Sequence, residues 1–260
     1  MFDTEKFENK LATSWLGRSL YFFEELPSTN TSAKKLKGEG SLHGNLVITD
    51  FQTKGRGQHE HKWVVEPGQN LTFSLLFQPS NPDRLNLLTL TCALAVKDTI
   101  ENLTDLKPKI KWPNDVLVNG KKLCGILTET VFIGNKLDRV IAGIGLNVNQ
   151  QEFSNSVSKD ATSLSIESKH KMDREELLAH LVQDIEYKYR LWSQQDPDLL
   201  KKVNKSLSGY GDWVKLKVND EILSGKFKFL GANNKGELIA LDSEMDVKTF
   251  AFEQVRVLRS

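Results

Sequence analysis

The segment GRGQHEHKW at residues 55–63 combines glycines, basic side chains and two histidines at a spacing that suits three chemistries. Glycines on both sides of Arg56 let the backbone approach a ligand closely, and a guanidinium beside exposed N–H groups suits a carboxylate or phosphate. His59 and His61 suggest a metal site, but no further His or Cys ligands accompany them, so solvated histidines are expected. The basic and aromatic mixture suggests nucleic acid. A plain surface loop also remains open, because the hallmarks of a P-loop and of a dinucleotide fingerprint are missing.

A second segment, KWPNDVLVNGKKLCGI at residues 111–126, carries two separated lysines around a hairpin signal. Its proline restricts residue 112 to extended backbone, and Asn119-Gly120 is a preferred two-residue hairpin turn. Lys122 at the hairpin base, facing Lys111 across the sheet, would concentrate positive charge. On the pattern alone, a hairpin with solvated lysines is equally compatible.

Hydrophobic periodicity predicts the elements that position these segments. Strands are expected at residues 20–23, 45–51 and 71–77 and in two hairpins with turns at residues 119–120 and 134–135. Helices are expected at residues 5–15, 85–103 and 173–194, after the capping residues 28–30, and after Asp196-Pro197. Residues 150–171 are polar and patternless, which predicts a long loop.

The sequence texture changes near residues 206–211. From there on, short strands follow one another at the intervals typical of a small barrel or sandwich. Two domains are therefore expected, at residues 1–208 and 209–260.

Composition limits the class of protein. A formal net charge of +1, from 35 basic and 34 acidic residues, argues against a dedicated nucleic-acid binder. Cys92 and Cys124 lie in apolar runs without disulfide or zinc spacing, which indicates two buried free thiols in a reducing compartment. The N-terminus has no apolar signal core, and no apolar run approaches the roughly 20 residues that span a bilayer. A cytoplasmic protein without a membrane partner is expected.

Taken together, these motifs resemble the biotin protein ligase family, and they occur in that family's order. The matches are STN at 28–30, Gln52, GRG at 55–57, Trp63, Pro67-Gly68, Asn70-Leu71, KWPND at 111–115, KLCGIL at 122–127, Glu129, GIGLNVN at 143–149 and ATSL at 161–164. KWPND followed by K-x-x-G-I-L is the most specific of them. The resemblance runs through most of the chain and extends to the barrel-like tail.

The resemblance implies an α+β fold with a mixed, mostly antiparallel sheet flanked by helices, similar to class II aminoacyl-tRNA synthetases. A small C-terminal barrel similar to Src-homology-3 domains would follow it. The implied reaction joins biotin to a lysine of a biotin carboxyl carrier protein, such as that of acetyl-CoA carboxylase. ATP and Mg²⁺ are the implied co-substrate and metal, and biotinyl-5′-AMP the implied intermediate. No protein nucleophile is needed, so catalysis would come from positioning and from cations aimed at developing phosphate charge.

The resemblance also implies roles for individual residues. The implied biotin-binding residues are Ser28, Thr29, Asn30, Gln52, Gly55, Arg56, Gly57, Gln58, Lys122 and Gly125. The implied ATP- or adenylate-binding residues are Arg56, Trp63, Lys111, Asn114 and Asn147. Arg56, Lys111 and Lys122 are the implied catalytic cations, with Lys122 on the biotin carboxylate and Lys111 on the α-phosphate. Trp63 and Asn147 would meet the adenine, and Asp115 would hold the metal.

The chain departs from the family pattern beside the glycine motif. Many members carry an arginine where this chain has Gln58 and a glycine where it has Glu60. Losing that arginine suggests weaker retention of the adenylate, although the neighbouring His59, His61 and Lys62 could compensate.

Two rival functions are weighed against the ligase. A lipoate–protein ligase shares the fold, the chemistry and a KWPND-like lysine strand. A non-catalytic, biotin-responsive DNA-binding regulator belongs to another class. Some family members carry an N-terminal helix-turn-helix domain, but about 27 residues precede Ser28, too few for a three-helix unit. A monofunctional ligase without a nucleic-acid partner is therefore expected. Members often dimerise through sheet edges, and a homodimer remains open here.

Overall fold

The computed structural model describes residues 1–37, 41–58, 62–80, 82–154, 159–219, 221–252 and 255–258. A seven-stranded sheet holds β1 (Leu20–Leu26), β2 (Leu46–Gln52), β3 (Leu71–Phe77), β4 (Lys109–Lys111), β5 (Asp115–Val118), β6 (Lys121–Ile133) and β7 (Lys136–Leu146). Its strand order is β1-β2-β3-β7-β6-β5-β4. The β1–β2 pair is parallel and the other pairs are antiparallel.

Helices cover both faces of this sheet. They are α1 (Thr4–Lys10), α2 (Thr29–Lys35), α3 (Leu85–Leu103), α4 (Leu164–Ser168), α5 (Arg174–Ser193) and α6 (Pro197–Ser206), with a 3-10 turn at Pro82–Arg84. Strand β3 shows how the two faces differ. Its alternate residues Leu71 and Phe73 join the main core with α3 and α5, whereas Leu76 packs with Ala33 of α2. The main core and α2 therefore lie on opposite sides of the sheet.

The remaining strands form a second sheet. They are β8 (Trp213–Val218), β9 (Glu221–Ile222), β10 (Phe227–Ala232), β11 (Leu238–Leu241), β12 (Val247–Phe250) and β13 (Val255–Leu258). The order is β12-β11-β10-β8-β13, with β9 paired to β8. This arrangement is consistent with the predicted small barrel, and the predicted α+β fold class is confirmed. The predicted boundary between residues 208 and 209 falls between α6 and β8.

Two elements differ from their sequence-based predictions. The first helix ends at Lys10 rather than residue 15, because the backbone N–H groups of Ser14, Trp15 and Leu16 donate to the Glu186 carboxylate. The predicted loop at residues 150–171 contains α4, whose first turn is capped by the hydroxyl of Ser163. The first difference depends on Glu186, a partner that is distant in sequence. The second depends on a short polar cap, which hydrophobic periodicity does not reveal. In the described part of the chain, no helix is long and apolar enough to cross a membrane.

Candidate active site

A cavity of about 300 Å³ lies on the α2 face of the seven-stranded sheet. Strand register explains its floor. Thr72 is paired with Gly145, Gly145 with Gly125, Gly125 with Asp115, and Asp115 with Lys111. Directly paired residues share one face, and strands lie ~4.8 Å apart, so this row spans roughly 19 Å. Its second and third positions are glycines, so no side chain rises from the backbone there.

The end of the cavity under α2 is lined by neutral polar groups. Gln52 Oε1 accepts a hydrogen bond from the Thr29 backbone N–H at 2.7 Å. Ser74 Oγ lies 2.7 Å from Thr29 Oγ1 and 2.6 Å from Asn30 Oδ1. Ser28 precedes the helix as its N-cap, as predicted, but its buried hydroxyl makes no capping hydrogen bond and lines the cavity instead. These donors and acceptors suit an uncharged, hydrogen-bonding ligand group.

The two ends of the glycine loop pair with each other beside the cavity. Trp63 N donates to Gly55 O at 3.1 Å, and Arg56 and Lys62 form an isolated antiparallel bridge. A Cβ atom at Gly55 would overlap the Trp63 carbonyl oxygen, so the close approach requires glycine. His59, Glu60 and His61, at the centre of this loop, lie outside the described residues.

Glu129 ties the loop to α2. Its carboxylate accepts hydrogen bonds from Arg56 Nη2 at 2.9 Å, Lys34 Nζ at 2.7 Å and Asn30 Nδ2 at 2.8 Å. Burial by itself raises the pKa of this carboxyl, but the hydrogen bonds from Lys34 and Asn30 and the charge of Arg56 outweigh burial and lower the pKa below its usual value. Glu129 is therefore held as an anion behind the binding face of α2.

The Trp63 indole lies directly on the glycine floor. A Cβ atom at Gly145 would overlap the indole ring, and one at Gly125 would lie 3.5 Å from it. Lys122 Nζ is 5.9 Å from the ring centroid, within range of a cation–π contact. The indole Nε1 is buried without a hydrogen-bond partner in the described structure. Trp63 is thus placed where a ligand ring can stack on it.

The sequence suggested that Lys122 faces Lys111 across the sheet, but the structure shows that the two lysines are not on neighbouring strands. Strand β5 lies between β4 and β6, and Lys111 is paired with Asp115. Lys122 Nζ lies 2.7 Å from Asp115 Oδ1, in an ion pair whose angles do not form an aligned hydrogen bond. The carboxylate therefore separates two lysines that would otherwise repel each other.

The carboxylates that could hold a metal in this cavity are few. Across the described ranges, no group of three or more His, Cys, Asp or Glu side chains could hold a metal ion. Asp115 is the one carboxylate among the described residues that line the cavity. A single carboxylate fits Mg²⁺ when substrate phosphates supply further ligands, because Mg²⁺ is commonly bound through one or two carboxylates plus phosphates and water.

Most of the sequence-predicted site residues meet in this one cavity. Those that line it are Ser28, Thr29, Asn30, Gln52, Arg56, Gly57, Gln58, Trp63, Lys111, Asn114, Asp115, Lys122 and Gly125. Gly55 shapes the loop from behind. Asn147 is not among the lining residues, and its buried side chain donates to the Thr162 carbonyl at 2.9 Å. Its predicted contact with adenine stays a prediction.

Sequence reasoning missed other lining residues, among them Thr72, Gly143, Gly145, Lys62 and Arg256. Polar Thr72 inside the apolar run LTFSLLF was a usable signal, because alternation places it opposite the core residues. Arg256 had no such signal, because it is far along the chain on β13.

Comparison with known proteins identifies the family to which the sequence is similar. Residues 22–147 match the biotin/lipoate A/B protein ligase family. The chain is 35% identical over 239 residues to the bifunctional ligase/repressor BirA of Bacillus subtilis, covering 90% of this chain and 73% of that protein. It is 31% identical over 188 residues to the biotin–[acetyl-CoA-carboxylase] ligase of Mycobacterium tuberculosis, covering 70% of this chain and 68% of that protein.

The fold comparison gives the same result. The biotin protein ligase from Aquifex aeolicus, solved in complex with biotin and ATP, superposes with a TM-score of 0.82 at 29% identity. The match covers 94% of this chain and 100% of that one. The match therefore includes both sheets.

Proposed function

Because the chain belongs to the biotin/lipoate A/B protein ligase family, we propose that it is an ATP-dependent biotin–protein ligase. One observation carries this proposal beyond the family: the strand register places a glycine floor between a neutral polar end under α2 and the lysines beyond Gly125. A ligand with an uncharged hydrogen-bonding head and an anionic tail fits that order, and biotin is such a ligand.

Two steps make up the proposed reaction. An oxygen of the biotin carboxylate attacks the α-phosphorus of ATP, and the bond to the β-phosphate oxygen breaks, giving biotinyl-5′-AMP and pyrophosphate. The ε-amine of a lysine on a carrier protein then attacks the acyl carbon, loses a proton and expels AMP. The protein supplies no covalent partner, so the catalytic effect comes from orientation and from fixed positive charge.

The residues of the cavity divide these tasks. Ser28, Thr29 and Asn30 hydrogen-bond the ureido ring, with Gln52 fixing the Thr29 backbone. Lys122 binds the biotin carboxylate and thereby exchanges Asp115 for the substrate as its ionic partner. Lys111, at the end of the row, stabilises the charge that develops on the α-phosphate.

The remaining assignments concern the nucleotide. Trp63 stacks on adenine, and Asn147 and Asn114 lie on the nucleotide side. Asp115 is the residue that would help to hold Mg²⁺ once Lys122 turns to biotin, and the metal would supply neutralisation of phosphate charge. Arg56 and the rest of the glycine loop cover the adenylate and exclude water from its reactive anhydride.

The proposed partner is a biotin carboxyl carrier domain. The decisive experiment incubates the chain with ATP, Mg²⁺, biotin and such a domain, followed by mass analysis of the carrier. The expected result is a mass gain of one biotin on one lysine, absent when that lysine is replaced by arginine. No gain with several carrier domains would contradict the assignment.

Lipoate is the main competitor, because the family description includes both cofactors. If the assignment is correct, excess lipoate leaves incorporation of radiolabelled biotin unchanged. Strong competition would transfer the assignment to lipoate. DNA binding is checked by a gel-shift assay with biotin and ATP present, and no shift is expected. We also keep the cytoplasm as the proposed location and leave the oligomeric state to sedimentation analysis.

A further inference from the structure

One face of β7 supports α2. Alternate residues of a strand share a face, so Arg139 and Ile141 face the same side of the sheet as Gly143, which lines the cavity. Gly143 approaches the Asn30 amide so closely that a Cβ atom there would overlap Oδ1. Ile141 belongs to the same small buried cluster as Ala33. Successive residues on this face of β7 therefore support successive turns of the helix.

Arg139 continues this pattern at the C-terminal end of α2. Its Nη1 donates to Leu36 O at 2.9 Å and its Nη2 to Lys34 O at 3.4 Å. Its Nε lies 3.0 Å from Asp138 Oδ2, in an ion pair that does not form an aligned hydrogen bond. Because Arg139 is only 8% exposed, its guanidinium is buried against the end of the helix.

A buried cation suits this end of the helix. The last four carbonyl groups of a helix have no partner within the helix, and a positive charge beside them interacts favourably with the helix dipole. The helix has only seven residues, and a helix of this length is marginal unless tertiary contacts support it. Contacts such as those of Arg139 therefore decide where α2 lies on the sheet.

The opposite end of α2 is the part that lines the cavity. Ser28, Thr29 and Asn30 lie there, and the Ser28 side chain makes no capping hydrogen bond that would fix this end from within. At 1.5 Å per residue, seven residues span about 10 Å, so the two ends of α2 are only two turns apart. A shift of the C-terminal end is therefore transmitted to the lining residues.

Two neighbouring strands hold the last turn of α2 through one residue. Lys34 O accepts from Arg139 of β7, and Lys34 Nζ donates to Glu129 of β6 at 2.7 Å. Glu129 also contacts Asn30 and therefore acts on both ends of the helix. Arg139 contacts the helix at its C-terminal end and does not line the cavity. A substitution of Arg139 thus tests the position of α2 without removing a group from the site.

We propose that Arg139 is a positioning residue for the uncharged head of the substrate. By holding the C-terminal end of α2 on β7, it keeps Ser28, Thr29 and Asn30 in the geometry that binds biotin. This role rests on the proposed function, which supplies biotin as the ligand of that end of the cavity. Lys111 lies on β4 at the far end of the row of paired residues, so nucleotide binding should not depend on Arg139.

Calorimetric titration with biotin measures the effect directly. Arg139→Met keeps an apolar stem but removes the donors, and it should weaken biotin binding about 10-fold, as expected when a charged hydrogen bond is lost. The matched control is Arg84→Met, because Arg84 Nη1 donates to Trp192 O at 3.0 Å in the last turn of α5, on the main-core side of the sheet. Arg84→Met should lower the Tm but bind biotin within about twofold of wild type.

Steady-state kinetics of pyrophosphate release separates positioning from general destabilisation. Arg139→Met should raise the KM for biotin about 10-fold, and it should leave the KM for ATP and kcat at saturating biotin within about twofold. Arg139→Lys keeps the charge, but its single ammonium cannot reproduce the fork of donors, so it should weaken biotin binding about threefold.

Several results would overturn this role. Unchanged biotin affinity in a folded Arg139→Met protein, equal losses for biotin and ATP, or an equal loss of biotin binding in Arg84→Met would make Arg139 a residue that only stabilises the fold. If Arg139→Met does not fold, unchanged biotin binding by Arg139→Lys would overturn the role in the same way. A wild-type protein that binds no biotin would instead overturn the proposed function, and this role with it.

Discussion

Arg56 and Glu129 are joined by an ion pair of 2.9 Å that connects the glycine loop to strand β6. The same carboxylate holds Lys34 and Asn30 of α2, so one side chain fixes both the loop over the cavity and the helix that lines it. We therefore expect Glu129 to couple the position of Arg56 to the geometry of the neutral end of the cavity.

Glu129→Gln should loosen the loop without unfolding the protein. Glutamine keeps the size and an acceptor oxygen but removes the charge that attracts Arg56. Arg56 is 44% exposed, so the pair is partly screened and trypsin should cleave after Arg56 or Lys62 roughly two- to fivefold faster. Limited proteolysis with mass detection measures this. Glu25→Gln, an exposed carboxylate on β1, is the matched control; equal rates in all three proteins would disprove the coupling.

Stability against pH gives a separate test of the same carboxylate. The pKa of Glu129 in the folded state is lowered from the ordinary value of 4.5. Its contribution is therefore fully present above pH 4.5 and is lost as pH falls through the lowered folded pKa. The difference in unfolding free energy between wild type and Glu129→Gln should be constant above about pH 5.5 and shrink on acidification below 4.5. Denaturant titrations at several pH values measure it, and a difference that grows on acidification would contradict the lowered pKa.

Lys111→Ala should abolish adenylate formation and leave the fold intact. The half-exposed ammonium ends the row of paired residues and supplies charge stabilisation that alanine cannot. We expect a loss of at least about 100-fold in pyrophosphate release, as for removal of a group aimed at transition-state charge. Lys109→Ala changes an exposed lysine on the same strand and should retain activity. Near-normal turnover by Lys111→Ala would remove that residue from the mechanism.

Gly143→Ala should impair biotin binding selectively. A Cβ atom there would overlap Asn30 Oδ1 and displace an amide that Ser74 also contacts at 2.6 Å. The KM for biotin should rise about 10-fold or more, with a smaller effect on ATP, as expected for a misplaced hydrogen-bonding group. Gly145→Ala, two residues along the same face, would overlap Trp63 and should affect ATP more than biotin. Steady-state kinetics with each substrate varied would show this crossed pattern, and identical profiles for the two variants would contradict it.

The two thiols should be unreactive in the native protein. Cys92 and Cys124 are free and fully buried, which confirms the interpretation from sequence. Burial raises the pKa of Cys92 to about 12, and burial likewise raises the pKa of Cys124. Since the thiolate is the reactive form, a colorimetric thiol reagent should label neither at pH 8 until denaturant is added. Rapid labelling of the native protein would show that this part of the core opens.

Local sequence determined the elements that depend on neighbours along the chain. The bounds of β3 and α3 follow from apolar periodicity and agree with the structure at residues 71–77 and 85–103. The Asn119-Gly120 turn follows from turn chemistry, with both residues at positive φ. The order of the motifs along the chain was enough to predict the family, the fold class and most of the residues that line the cavity.

Tertiary structure decided what depends on register and on contacts between distant segments. Asp115 separates Lys122 from Lys111 because β5 lies between the strands that carry the two lysines. The order of strands in a sheet cannot be read from the spacing of residues along the sequence. Glu129 became the partner of Arg56 across 73 residues of chain. Arg256 reached the cavity only because the barrel is docked on Trp112. Periodicity and caps are set by interactions within a few residues, whereas an active site is assembled by packing, which no local pattern records.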